Sequence, residues 1–193
     1  MIHSLYNWTL GLAGHRHALL VLGLIAFVES SVFPIPPDVL LFTMVLASRS
    51  QWLKLALICT VASVLGGLFG YAIGLFLYES LGKPLLDFYG YADKFVDFQS
   101  HYNDWGAWIV FVFGVTPFPY KVITIASGVT QLDIWTFSIS SIASRGLRFF
   151  VVAGLLYWLG PPIRQFIERW LGLVFTVFCV MLIGGFIVLK VLL

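Results

Sequence analysis

Charge is what this sequence has least of. Asp, Glu, Lys and Arg make up 10% of its 193 residues, against 60% hydrophobic, with a mean hydropathy of +0.97. Soluble domains carry roughly a quarter charged residues. The composition therefore excludes an ordinary water-soluble domain and points to an integral membrane protein, small enough for a single membrane domain over 1–193. A net charge of +2 is too weak to suggest a nucleic-acid partner. Cysteine is scarce as well. Cys59 and Cys179 lie alone in separate apolar segments, without metal-ligand spacing or an obvious disulfide partner, and both read as small core residues. His3, His15, His17 and His101 form no ligand pattern, so no metal and no cofactor is expected. There is no nucleotide-binding glycine loop, nucleophile elbow or HExxH motif, so the chain does not read as an enzyme.

What is there is a series of apolar blocks. The start, GHRHALLVLGLIAF, has the basic flank and short apolar core of a signal peptide. No small-x-small site follows, so it is expected to stay uncleaved. Block one runs from about His17 to Ser48 and block three from about Trp105 to Leu132. A crossing helix needs about 20 apolar residues. Each of these blocks is longer than one crossing, shorter than two, and broken by prolines in the middle. The economical reading is a re-entrant hairpin, half-helix in and half-helix out, with its breaks at Pro34 and Pro36 in the first and at Pro117 and Pro119 in the second. Non-helical backbone at membrane depth has to be covered by protein or water. Block two, about Trp52 to Leu81, and the segments Trp135–Leu159 and 171–193 have spanning length without internal proline.

The hairpins are copies of each other. FPIPPDVLLF at Phe33 matches TPFPYKVITI at Thr116. Pro34 and Pro117, Pro36 and Pro119, Asp38 and Lys121, and Trp52 and Trp135 are all separated by the same 83 residues. After a short gap LGKPLLDF from Leu81 matches LGPPIRQF from Leu159, so each copy is expected to leave its spanning helix at Leu-Gly-x-Pro. One spanning helix separates the two hairpins, so they enter from opposite sides. The expected fold is an all-α integral membrane protein, an inverted repeat of two opposed re-entrant helical hairpins plus spanning helices. Repeat one covers about 18–84, an amphipathic interlude 85–104, repeat two 105–162 and a C-terminal transmembrane helix 171–193. Transporters use inverted repeats with the site near the midplane, at broken helices. A duplication kept only for folding is the alternative.

Arg16, Arg49, Lys54, Arg164 and Arg169 fall on one side of this layout. The interlude sets Lys83 and Lys94 against Asp87, Asp93, Asp97 and Asp104 on the other. The basic side is expected in the cytoplasm, with the N-terminus, and Lys190 stands against it. The interlude repeats aromatics (Phe88, Tyr91, Phe95, Phe98, Tyr102) at three- and four-residue steps, as in a helix lying on the membrane surface. Gly66, Gly70 and Gly74 form a GxxxGxxxG row against which a hairpin is expected to pack.

Five ionisable residues fall at depth: Glu29, Asp38, Lys121, Arg145 and Arg148. Each costs about 2.5–3.5 kcal/mol at a helix centre on insertion scales, so they should face inward and pair. Structural pairing alone would account for them. Their position beside the breaks, with one cation in excess, also suits an anionic group such as a phosphate. Arg145 and Arg148, three apart, share a helix face. Ser138, Ser140, Ser141 and Ser144 line the approach, individually as packing contacts.

These residues together resemble the DedA family, the SNARE-associated or VTT-domain superfamily. The resemblance rests on the Glu-x-x-x-x-Pro-x-Pro-Pro-Asp hairpin, the glycine-rich helix after it, the second proline hairpin ending in Ser-Gly and the Arg-x-x-Arg helix. It covers roughly Phe27 to Pro162 and is nearest the short YqaA-like bacterial branch. It implies a multi-pass protein of the bacterial inner membrane. It also implies translocation of a lipid such as undecaprenyl phosphate or phosphatidylethanolamine, with proton-motive-force dependence. The family's membrane acids match Glu29 and Asp38. The usual arginine before the second hairpin's proline has no counterpart, because Gly114, Val115 and Thr116 stand there, and the one after it is replaced by Lys121. The expectation is a flippase- or scramblase-like lipid translocase. Lys121, Arg145 and Arg148 would bind a phosphate head group of an anionic or zwitterionic lipid, and Glu29 and Asp38 would exchange protons. A homo-oligomer is compatible with it. A proton-coupled transporter of a small solute or cation, and a non-transporting assembly factor, are the alternatives.

Overall fold

The computed structural model describes residues 18–31, 37–116 and 118–160. The chain divides into two compact units, Met1–Tyr157 and Trp158–Leu193. Only 158–160 of the second are described, so the expected C-terminal helix lies outside the described residues, as do Pro34, Pro36 and Pro117.

Among the described residues the secondary structure is entirely helical. The helices are α1 (Ala18–Ser31), α2 (Asp38–Ala47), α3 (Trp52–Leu77), α4 (Lys83–Tyr89), α5 (Ala92–Asp104), α6 (Gly106–Val115), α7 (Tyr120–Val129) and α8 (Ile134–Leu159). At about 1.5 Å per residue, the 26-residue α3 and α8 are roughly 39 Å long, enough for a hydrocarbon core of about 30 Å. The 10-residue α2, α6 and α7 reach only about half of it. Two short helices followed by one long one thus occur twice in the chain.

The long helices are coated with apolar residues, and polar side chains lie inside, among the buried aliphatic and aromatic ones. Along α3, Leu53, Leu57, Val61, Leu65 and Phe69 recur every fourth residue and are all exposed. On α8, Ile139, Ile142, Leu147, Val151 and Leu155 are exposed likewise. The opposite faces of these two helices bury Thr60, Ser63, Ser141, Ser144 and Arg145, and α7 buries Thr124 and Ser127 among them. A water-soluble fold would reverse that arrangement.

The glycine row of α3 is where the short helices seat. A Cβ on Gly66 would strike the backbone of Phe27 in α1, and one on Gly74 the backbone of Ile125 in α7. One on Gly70 would meet the Thr124 side chain and, at 3.3 Å, the Ser30 carbonyl. Both short helices therefore lie backbone to backbone on α3, as small-xxx-small faces allow.

The first Leu-Gly-x-Pro does not end its helix, contrary to the sequence expectation. The chain runs on helically through a wide turn, Tyr78–Gly82, in which the Lys83 N–H bonds the Tyr78 carbonyl five residues back. Pro84 then falls in the first turn of α4, where its missing N–H costs little. The stop is Gly90, at φ +67°, with the Tyr91 N–H closing onto the Leu86 carbonyl at 2.9 Å. The interlude is accordingly two helices rather than one. Phe88, Tyr89, Tyr91 and Phe98 are exposed. On the inner side of α5, Gln99 and Asn103 donate to the Thr130 carbonyl at 2.8 and 3.0 Å, beyond the end of α7. Asp133 opens α8 by accepting the Thr136 N–H at 2.8 Å.

Candidate substrate site

Glu29 sits in the last turn of α1, where a carboxylate opposes the helix dipole. It is tolerated because Arg145, from the middle of α8, donates from Nη2 to Glu29 Oε2 at 2.8 Å. Arg145 Nε also donates to Ser63 Oγ at 2.6 Å, and Ser30 Oγ donates to Glu29 Oε2 at 3.1 Å. The Ser30 and Ser63 hydroxyls are 2.6 Å apart. Ser30 has spent its one proton on Glu29, so Ser63 is the donor between them. The result is a closed ring of Glu29, Ser30, Ser63 and Arg145. The guanidinium is also covered by aromatic rings, with the Tyr120 centroid at 4.9 Å and the Phe149 centroid at 4.8 Å. Arg145 is 1% exposed. The Tyr120 hydroxyl is itself fixed by Ser141 at 2.5 Å.

The second pair has a different character. Asp38 lies in the first turn of α2, where the helix dipole favours a carboxylate. Arg148 Nη2 donates to Asp38 Oδ2 at 2.7 Å, and its Nη1 donates to the Thr116 carbonyl at 2.6 Å. Thr116 caps the C-terminal end of α6, where carbonyls lack intrahelical partners and cations are favoured. Arg148 thus ties the start of α2 to the end of α6. In sequence, Pro34, Pro36 and Pro37 precede Asp38, and Pro117 and Pro119 follow Thr116. The side chains of Arg148 and Asp38 are 17% and 21% exposed. Two buried polar atoms in the site have no hydrogen-bond partner, Asp38 Oδ1 and Arg145 Nη1.

Of the residues singled out from sequence, Glu29, Asp38, Arg145 and Arg148 converge as two acid–arginine pairs. The shared face of Arg145 and Arg148 resolves into separate partnerships. Lys121 lies half-buried in the first turn of α7, which Pro119 precedes, and its backbone carbonyl accepts from Thr124 Oγ1 at 2.9 Å. Ser141 and Ser144 are buried, whereas the Ser138 hydroxyl is spent on its own helix at the Ile134 carbonyl. Ser30, Ser63, Thr116, Tyr120 and Phe149 belong to the site and were not singled out from sequence. Ser63 had a signal: it lies three, four and seven residues before Gly66, Gly67 and Gly70, on the face that packs inward. Phe149 is one helical turn after Arg145. Among the described residues there is no group of three or more His, Cys, Asp or Glu that could hold a metal ion.

An apolar coat, short helices packed on long ones and a buried arginine define an integral membrane protein with charge in its interior. The model of the VTT domain matches residues 35–158, and the chain belongs to that family, the DedA proteins. An uncharacterised protein of Haemophilus influenzae is 33% identical over 187 residues, 97% of each chain. A second uncharacterised protein, from Histophilus somni, is 34% identical over 169 residues, 86% of this chain and 88% of its own. Undecaprenyl phosphate transporter A of Staphylococcus aureus is 31% identical over 124 residues, 58% of this chain and 60% of its own. No solved structure matches the chain significantly.

Proposed function

We propose that this protein translocates a lipid with a phosphate head group, such as a polyprenyl phosphate or phosphatidylethanolamine, across the bacterial inner membrane. In this reading α1–α2 and α6–α7 are two opposed re-entrant hairpins of an inverted repeat, and the N-terminus is cytoplasmic. Lys121, Arg145 and Arg148 supply the positive field for the phosphate. Glu29 and Asp38 neutralise the arginines between passages and exchange protons. The tail stays in lipid, so no large cavity is needed.

The observation that carries the reading is the convergence of Glu29, Asp38, Arg145 and Arg148, from α1, α2 and α8, inside an apolar-coated bundle. Buried charge at membrane depth is expensive and commonly marks a substrate or ion path. The similarity to a polyprenyl phosphate transporter over 124 residues supports the same substrate class. The test is movement of a headgroup-labelled phospholipid and of a labelled polyprenyl phosphate in proteoliposomes. Wild-type protein should move at least one of them, and Arg145→Ala and Arg148→Ala should each abolish the movement while staying monodisperse. Wild-type protein that moves neither lipid refutes the reading. The one-to-one pairing of both acids with both arginines also favours a second reading, a non-transporting assembly factor whose charges lock the fold. Normal lipid movement in both arginine variants would leave the charges no part in transport.

A further inference from the structure

The two acid–arginine pairs are not equivalent. Arg145 is gripped on every side that the structure describes, by Glu29, by Ser63 and by the rings of Tyr120 and Phe149. Its spare Nη1 is sealed from solvent. A guanidinium held close to two rings and to two hydrogen-bond acceptors is a preorganised cation. Arg148 has neither ring nor serine. Its Nη1 is committed to a backbone carbonyl at the end of α6, and its Nη2 meets a carboxylate that uses one oxygen only. The other oxygen, Asp38 Oδ1, is buried without a partner. An arginine fork can take two oxygens of one anion, so on the carboxylate side this contact is poorly satisfied. This is also the pair that joins the start of α2 to the end of α6, and both its members are partly open to solvent.

From this asymmetry we propose that Arg148 is the residue that takes the phosphate, that Asp38 is a built-in stand-in occupying its place, and that Arg145 is a fixed positioning cation. The inference rests on the lipid-phosphate reading above. An arriving phosphate oxygen replaces Asp38 Oδ2 on Arg148 Nη2. Asp38 is thereby released, and the link between the start of α2 and the end of α6 opens. Substrate arrival and separation of these two helix ends become one event. Glu29 is not displaced, because the serine ring and the two aromatic rings hold its arginine in place.

Dodecyl phosphate, a single-chain phosphate monoester, is a suitable probe in detergent. Its binding is read first as a thermal shift of the wild-type protein. Carboxyls are then labelled with dicyclohexylcarbodiimide, which modifies protonated carboxyls in apolar surroundings, and are quantified by mass spectrometry with and without the probe. Saturating dodecyl phosphate should raise labelling of Asp38 at least threefold and leave that of Glu29 unchanged. Asp38→Asn should bind the probe at least fivefold more tightly than wild type, and Arg148→Gln at least tenfold more weakly. Binding with unchanged Asp38 labelling, or with both carboxyls rising together, overturns the displacement model and leaves the phosphate reading standing. No binding of the probe to wild-type protein overturns both. The labelling arm uses unmodified protein, so it decides the matter even where a variant does not fold.

Discussion

Removing the carboxylate of Glu29 should be far more damaging than removing the whole Glu29–Arg145 pair. In Glu29→Gln the guanidinium of Arg145 stays where it is, 1% exposed, with its counter-charge gone and its Nη1 still unpartnered. Two unit charges about 4 Å apart interact by about 4 kcal/mol at an effective dielectric near 20. Breaking one side of a buried pair typically costs about 3–5 kcal/mol. For a chain of this size, each kcal/mol lowers the melting temperature by roughly 2–4 °C, so Glu29→Gln should melt roughly 6–20 °C below wild type. Arg145→Gln strands Glu29, which is 16% exposed, and should fall at the lower end of that range. The double variant leaves no buried charge at this position. It loses the stacking on Tyr120 and Phe149, about 1–2 kcal/mol. It should recover at least half of the loss and melt above Glu29→Gln. Thermal unfolding of the four proteins in one detergent gives the coupling directly. Additive losses would show that the two charges do not sense each other and would refute the closed ring as the reason Glu29 is tolerated.

The glycine contacts predict a graded series by the same assay. Gly66→Ala, Gly74→Ala and Gly128→Ala each push a Cβ into the backbone of a neighbouring helix and should cost about 1–3 kcal/mol or prevent folding. In Gly146→Ala the nearest atom is Thr60 Cγ2 at 3.8 Å, so that change should be neutral or slightly stabilising. The Asp133 carboxylate, outside the membrane spans, is held below its usual 3.8 by the backbone N–H and hydroxyl of Thr136. Its contribution to stability is full above the unfolded value and is lost as pH falls through the lower folded value. The acid limb of the stability curve should therefore be shallower in Asp133→Ala than in wild type, and parallel limbs would deny the cap. For orientation, Asp97→Cys should react with a membrane-impermeant thiol reagent in intact cells. Reaction only after the cytoplasm is opened would reverse the proposed topology.

Much of the helical layout could be read from the sequence because membrane burial imposes simple constraints. Length against bilayer thickness separated α3 and α8 from the short helices. The glycine period marked the face of α3 on which α1 and α7 seat. The cost of buried charge singles out Glu29, Asp38, Lys121, Arg145 and Arg148, of which the first two and last two form the acid–arginine pairs. The partner of each was not legible. Nothing along the chain distinguishes Glu29–Arg145 from Glu29–Arg148, since the choice depends on how α1 and α2 cross α8. Tyr120 was hidden by its surroundings, an aromatic among aromatics. Pro84 misled for a physical reason, because a wide turn before it removes the clash that would normally end a helix.

The glycine face of α3 also has a mechanical meaning. Where Phe27 and Ile125 rest on Gly66 and Gly74, no side chain stands between the backbones to act as a hinge pin or a spacer. Pulling α1 or α7 away from α3 would forfeit the close van der Waals contact that the glycines permit. Sliding along α3 trades one close contact for the next, four residues on. Such a face favours shear over swing as the expected relative movement of the two short helices. Paired spin labels on α1 and α7 should record displacement along the axis of α3, with the spacing across it unchanged.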